Sequence, residues 1–284
     1  PLLVIIDAHT HAFHPAHVRR RDDLVARDPT FREMYGDPKA KMATVGDVVA
    51  ALDRAGVDRA VVAGFAFSRD CDLRAQNLHI LEAAREHGGR ILPFASLNLA
   101  SPAWKDVAYE AIERGARGFG ELRPHNQGWD PLGDAAHELC RLAAEHGLVL
   151  LWHVSEPVGH AYPGKRGGIS PAELCELASA HPATKMIAAH LGGGLPFYVQ
   201  MPEVRAALAN VWYDTAAVSL LYDEGTVARL VGLVGADRVL FGSDFPLLSP
   251  KRQLERLSAE LESDAAASVC GESAHKLFSD RRPS

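Results

Sequence analysis

A rhythm restricts what this chain can fold into more than any single motif does. Short apolar runs occupy residues 2–6, 60–65, 91–97, 117–122, 148–153, 185–190, 211–214 and 238–244, and a helical pattern follows each of the later ones. Runs of this length, bounded by Gly, Pro and polar residues, read as strands buried on both faces. Between them stand helix signals. Thr44 with Asp47 three residues on is an N-cap that opens a helix over 44–56, stopped at Gly56. Ser101-Pro102 and Ser170-Pro171 pair a cap with a proline in the first turn. Further helical patterns cover 72–87, 134–146, 203–209 and 224–234, with a last region from Pro250. Pro93 weakens the third strand, because proline cannot donate to a ladder.

Strand alternating with helix eight times predicts an α/β fold with a parallel sheet covered by helices. With 284 residues and no break in composition, the expectation is one domain over 1–284, a closed (β/α)8 TIM barrel. A doubly wound sheet is the alternative, but no G-x-G-x-x-G follows the first strand. Gly192-Gly193-Gly194 is not that motif, and it has no P-loop lysine. One stretch departs from the rhythm: 12–43, a long polar loop after the first strand that carries Arg19-Arg20-Arg21. A connection of that length suits a lid, a partner surface (an arm in a homo-oligomer, for example) or disorder. The arginine triplet reads as a solvated charge run rather than an anion site.

Composition narrows the partners. A net charge of -6 argues against a nucleic-acid backbone as partner. No apolar run approaches the roughly 20 residues needed to span a bilayer. The apolar run at 2–6 is too short for a signal sequence and lacks a basic flank. Cys71, Cys140, Cys175 and Cys270 are scattered with no C-x-x-C pair, which suits free thiols in the reducing cytoplasm.

In such a barrel the C-terminal ends of the strands look into one mouth. His9 and His11, two residues apart at the end of the first strand, project to the same side. Glu121 stands on the fourth strand, His153 on the fifth, His190 on the sixth and Asp244 on the eighth. Any one of these reads most simply as a polar group satisfied by hydrogen bonds. Four imidazoles and two carboxylates converging together make a transition-metal site. Asp7, two residues before His9, either orients a ligand imidazole or caps the loop. Other histidines have plainer readings: His87 and His146 precede glycines at helix ends, where an imidazolium suits the dipole. For substrate, Arg123 is placed to meet a carboxylate or phosphate, with His125 and Trp129 beside it.

These residues also carry a resemblance. Asp7-Ala8-His9-Thr10-His11, His153, His190-Leu191-Gly192-Gly193, Tyr213-Asp214-Thr215 and Phe241-Gly242-Ser243-Asp244-Phe245-Pro246 resemble the amidohydrolase superfamily. The nearest pattern is its "amidohydrolase 2" branch of metal-dependent TIM-barrel hydrolases. Gly271-Glu272-Ser273-Ala274-His275-Lys276-Leu277-Phe278 resembles that branch's closing helix, G-N-A-x-R-L-F. The resemblance implies that His9, His11 and Asp244 bind a divalent metal, with His153 and His190 as further ligands, or as a ligand and a catalytic histidine. Glu121 departs from the pattern. Many binuclear members carry a carbamylated lysine on strand four, whereas the branch's decarboxylases generally use one metal without a bridge. A carboxylate there is similar to TatD-type deoxyribonucleases and is able to bridge two cations, so two ions are favoured over one.

The expected chemistry is hydrolysis of an amide, lactone, ester or related bond in a small, anionic substrate. Zinc is expected first, with manganese, iron, cobalt or nickel compatible with the same donors. The ion lowers the pKa of its water from 15.7 to about 7. Asp244 is the expected general base, and the metal or His190 polarises the scissile group. Two alternatives follow from the same resemblance: non-oxidative decarboxylation of an unsaturated or aromatic acid, and a TatD-like nuclease, against which the acidic charge counts.

Overall fold

The computed structural model describes residues 4–279. Eight parallel strands pair in sequence order: β1 Ile6–His11, β2 Arg59–Ala63, β3 Ile91–Ala95, β4 Gly118–Leu122, β5 Val149–Trp152, β6 Lys185–Ala188, β7 Val211–Asp214 and β8 Val239–Leu240. The ring is completed across β1 and the segment leaving β8. Ala8 N–H donates to Phe241 O at 2.7 Å, Asp244 N–H to His9 O at 2.9 Å and His11 N–H to Phe245 O at 2.7 Å. The chain is a (β/α)8 barrel. Its first strand does not stop at residue 6 but runs through both histidines. Leu2 and Leu3 lie outside the described residues.

Local chemistry sets the helix ends. Thr44 and Asp47 form a reciprocal capping box before Val45–Ala55, and Gly56 ends that helix at φ 68°. Ser170 and Glu173 do the same before Pro171–Ala180. Ser101-Pro102 makes a turn instead: Ser101 Oγ accepts Ala103 N–H at 3.1 Å, and the helix Trp104–Glu113 starts just beyond. Pro93 sits inside β3 opposite Val62, and its carbonyl still accepts Arg117 N–H at 2.8 Å. The proline therefore costs the ladder a donor but not its acceptor.

The barrel interior is filled by Ile6, Val61, Leu92, Phe94, Val149, Leu151, Ile187 and Leu240. Leu277 and Phe278, from the closing helix Ser273–Ser279, pack against this layer at the strand N-termini. Lys185, at the start of β6, donates to Leu277 O at 3.2 Å on the same side. With that end plugged, the opposite end is left as the mouth.

Residues 12–43, expected as a long loop, contain three short helices, Pro15–Arg19, Arg21–Arg27 and Pro29–Tyr35. His14 and Asp28 cap the first and third, each followed by a proline in the first turn. Arg21 is a clamp rather than a solvated charge, donating to the carbonyls of Tyr35 at 2.8 Å and Ala40 at 2.9 Å. Arg27 fixes the segment to the barrel helix Asp70–Glu86 through two bonds to Asp72, at 2.5 and 2.9 Å. Phe13, Phe31, Tyr35, Phe65 and Phe67 interlock at ring spacings of 4.8 to 6.5 Å, so the segment is a packed wall of the mouth. Among the described residues no helix is long and apolar enough to cross a membrane.

Candidate metal centre and substrate cavity

Simple alternation would turn His9 the wrong way, because Ile6 and Ala8 face the barrel interior. A bulge corrects this. Asp7 pairs with Ala60 and Thr10 with Val62, so one extra residue is taken up on β1 between them. Thr10 Oγ donates to Val61 O at 2.6 Å across the irregularity. β4 repeats the device: Phe119 pairs with Leu150 and Leu122 with Trp152, and Glu121 lies in the bulged part. β5 needs no bulge, since His153 follows the inward Val149 and Leu151 in phase. His190 and Asp244 stand past their strands with φ of 57° and 59°, a region that costs a non-glycine residue energy. Each is held there by its own N–H, His190 on Asp214 Oδ1 at 2.9 Å and Asp244 on His9 O at 2.9 Å.

The six side chains form two triads, His9–His11–Asp244 and Glu121–His153–His190, with donor atoms within 4.8 Å of one another in each. His9 Nε2 and His11 Nε2 are 3.0 Å apart, and Asp244 Oδ1 lies 3.4 Å from His11 Nε2. Glu121 joins the triads. Its Oε1 is 2.7 Å from His153 Nδ1, 3.4 Å from His190 Nε2 and 3.9 Å from His9 Nε2, while Oε2 is 3.7 Å from His11 Nε2.

Hydrogen bonds on the outer nitrogens decide what the inner ones present. A carbonyl oxygen only accepts, so His190 Nδ1 donates to Ala216 O at 2.9 Å and His153 Nε2 donates to Gly164 O at 2.8 Å. His9 Nδ1 faces the carboxylate Asp214 Oδ2 at 2.8 Å. In their neutral forms all three rings then point a lone pair inward, the arrangement a metal ligand needs. A lone pair against a carboxylate at 2.7 Å (His153 and Glu121) repels unless positive charge lies between them, and His9 Nε2 and His11 Nε2, 3.0 Å apart, are close enough to share one ion. The donor set therefore fits a divalent ion.

Charge balance agrees. Burial opposes a charged His9, but Asp214, Glu121 and Asp244 outweigh it and lift the imidazole to about 10. Burial likewise opposes a charged His190, and Glu121 lifts it to about 9. Burial would raise both acids, yet the histidines bring Asp244 to about 2 and hold Glu121 well below the usual carboxylate range. For His153 burial wins and the imidazole is pushed down. Two anionic carboxylates in a buried pocket call for positive charge, from protonated rings or from an ion.

A cavity of about 640 Å³ opens over the triads. Arg123 lines it and is buried; its Nη2 donates to Gly164 O and Arg166 O, each at 3.1 Å. Its Nε and Nη1 are buried without a hydrogen-bond partner. His125 and Trp129, expected beside Arg123, do not line the cavity. The short helix Pro124–Gln127 turns His125 outward to Glu173 at 3.0 Å, and Trp129 packs on Trp152 with rings 6.1 Å apart. Asn126 and Gln127 face the cavity in their place.

Two functional elements escaped the sequence reading. Asp214, quoted only as part of a motif, orients His9, and its Oδ1 also accepts His190 N–H and Ala216 N–H. Of the two roles open to Asp7, orienting an imidazole or capping the loop, the contacts match the second: its Oδ1 accepts the N–H groups of Ser243 at 2.9 Å and His9 at 3.2 Å, tying β1 to the segment leaving β8, and burial pushes its carboxyl up to about 7. The other is the Gly164 carbonyl, a backbone group with no side-chain signature, which holds both His153 and Arg123.

The amidohydrolase family model matches residues 6–279. The chain is 24% identical over 279 residues to a 6-methylsalicylic acid decarboxylase of Penicillium expansum, covering 85% of this chain and 84% of the relative. Its fold is similar to the crystal structure of 5-carboxyvanillate decarboxylase from Sphingomonas paucimobilis, with a TM-score of 0.75 and 15% identity over 98% of this chain and 99% of the other. It is also similar to 5-carboxyvanillate decarboxylase from Novosphingobium aromaticivorans, complexed with manganese and 4-hydroxy-3-methoxy-5-nitrobenzoic acid. That TM-score is 0.74, with 17% identity over 98% of this chain and 96% of the other.

Proposed function

Because the chain belongs to the amidohydrolase family, we propose that it is a metal-dependent, non-oxidative decarboxylase of a small aromatic or unsaturated acid. The observation that carries this is Arg123. A buried guanidinium in the cavity wall, beside a cation-ready donor set and ring-lined walls, suits a flat substrate bearing a carboxylate. The relatives described above are decarboxylases and support the same choice, so hydrolysis, the first expectation from the family resemblance, gives way to its alternative.

The reaction breaks the bond between a ring or vinyl carbon and its carboxylate. The electron pair stays on that carbon, carbon dioxide leaves, and one proton takes its place. An ion held by His9, His11 and Asp244, with His153 adjacent, would supply a fixed positive charge for the substrate's oxygens. The Arg123 guanidinium would add positive charge on the β4 side of the acid. His190 has its Nδ1 engaged with Ala216 O, so Nε2 is its only atom free to carry a proton into the cavity. Glu121, 3.4 Å from that nitrogen, favours the protonated ring, so the proton would go to the substrate carbon from His190 Nε2 itself. Asp244 faces the same space as an anion and would steady the positive charge. This chemistry needs one ion rather than the two that a bridging Glu121 suggested. Zinc and manganese both suit the donors. The four free cysteines suit a reducing, cytoplasmic setting.

The test is carbon dioxide release from a panel of ortho- and para-hydroxybenzoic acids, run with manganese and with zinc. Release from at least one acid is expected, with metal bound at one equivalent per chain. Cleavage of a lactone, ester or amide with no acid decarboxylated would overturn the proposal.

A further inference from the structure

The cavity is larger than the reacting group requires. An apolar cavity of about 150 Å³ already holds a benzene ring, against about 640 Å³ here. The extra space has a direction. In a ring of eight strands paired in order, β4 stands opposite β8. The β4 and β5 side presents Arg123, Asn126, Gln127, Tyr162 and Pro163, polar apart from the proline. The β7 and β8 side presents Leu220, Leu221, Pro246 and Leu247, all apolar. Leu220, in the short helix Val218–Leu221 after β7, is 54% exposed and Leu247, after β8, is 50% exposed, and both line this one cavity. A single exposed leucine needs no explanation. Two on adjacent segments, continuous with a buried reaction chamber, form a half-built wall that lacks its other half.

We infer that the substrate is an aromatic acid carrying an apolar substituent several carbons long. Its carboxylate lies toward Arg123 and the triads, and its apolar arm runs outward along Leu220, Leu221 and Leu247. The head group rests on the decarboxylase proposal; the arm rests only on the shape and chemistry of the wall. The occupant is part of the substrate because the wall is continuous with the chamber. A second copy of the chain closing over the leucines is the competing outcome.

Binding of 6-alkylsalicylic acids, from methyl through propyl and pentyl to heptyl, is measured by calorimetry on the manganese-loaded protein, with carbon dioxide followed in parallel. The expected result is a Kd that falls about two- to fourfold with each added methylene. That dependence flattens in the Leu220→Asn/Leu247→Asn double variant. Both leucines are half in water, so this pair is safe for folding. A Kd that does not change along the series, or a slope the double variant leaves intact, overturns the inference. So does light scattering that shows a dimer lost on the same double substitution. The two proposals separate cleanly. Affinity that follows chain length without carbon dioxide release sinks the decarboxylase and keeps the arm, whereas release at equal affinity for every member does the reverse.

Discussion

The two triads of the site are built alike and held differently. In His9–His11–Asp244, the His9 ring is pinned by Asp214, a fully buried carboxylate at the end of β7, and the Asp244 backbone is pinned by the His9 carbonyl. In Glu121–His153–His190, the two rings are pinned by backbone carbonyls of mouth segments, Gly164 and Ala216. The first triad is thus part of the barrel's own strand ends; the second takes its ring alignment from loops, with Asp214 shared through the His190 N–H. Damage to the first should cost the ion and the fold together. Damage to the second should cost alignment while the barrel stands.

The largest effect is expected at Asp244. Asp244→Asn keeps the shape but removes the charge; kcat should fall by about 10³-fold, with ion content reduced in the purified protein. Next comes Asp214→Ala. Loss of a group that orients a ligand should weaken ion affinity about 10- to 100-fold. Because His190 N–H and Ala216 N–H also lose their acceptor, denaturant unfolding should show a loss of about 1–3 kcal/mol for each group left unpaired.

Gly164→Ala tests the second triad. Gly164 has φ +85°, which strains an alanine, and a Cβ there would lie 2.6 Å from Met34 Sδ, so Met34 must give way and relief of the φ strain should turn the carbonyl away from His153 and Arg123. We expect KM to rise about tenfold with the unfolding midpoint almost unchanged. Adding Met34→Ala should recover part of the loss by making room. Equal destabilisation by Asp214→Ala and Gly164→Ala would erase the contrast between the triads. The smallest effect on the site is expected from Phe278→Ala at the plugged end. It should destabilise the fold by about 3–5 kcal/mol while the ion affinity of the folded protein stays the same.

Much of this was legible in the residues. Hydrophobic runs and capping pairs such as Thr44–Asp47 predict the eight repeats, and the four histidines and two acids fall together as their strand ends predict. What was hidden depends on partners far away in sequence. Whether His9 faces in or out is decided by how β1 registers on β2, and the same holds for Glu121 on β4 against β5. The β1 bulge has no local signature, whereas Gly120, beside Glu121 in β4, is a strand glycine of the kind that marks one. Asp214 gives no sign of its task because the ring it orients is 205 residues away. His125 and Trp129 misled because nearness to Arg123 in sequence says little once a helical turn rotates each residue by about 100°. The wall at 12–43 did carry signals, His14-Pro15 and Asp28-Pro29, but its charge density concealed three helices.

The central claim, that this one cavity removes a carboxylate and replaces it with a proton, is tested most directly in heavy water. 6-Methylsalicylic acid, or the longest 6-alkyl member that binds, is incubated with the metal-loaded protein in D2O and followed by NMR. Expected are one carbon dioxide per acid consumed and one deuteron on the carbon that bore the carboxylate, with product forming about 10³-fold more slowly in the Asp244→Asn variant. Unchanged acid under conditions where the same protein opens a lactone or cleaves an ester would contradict it.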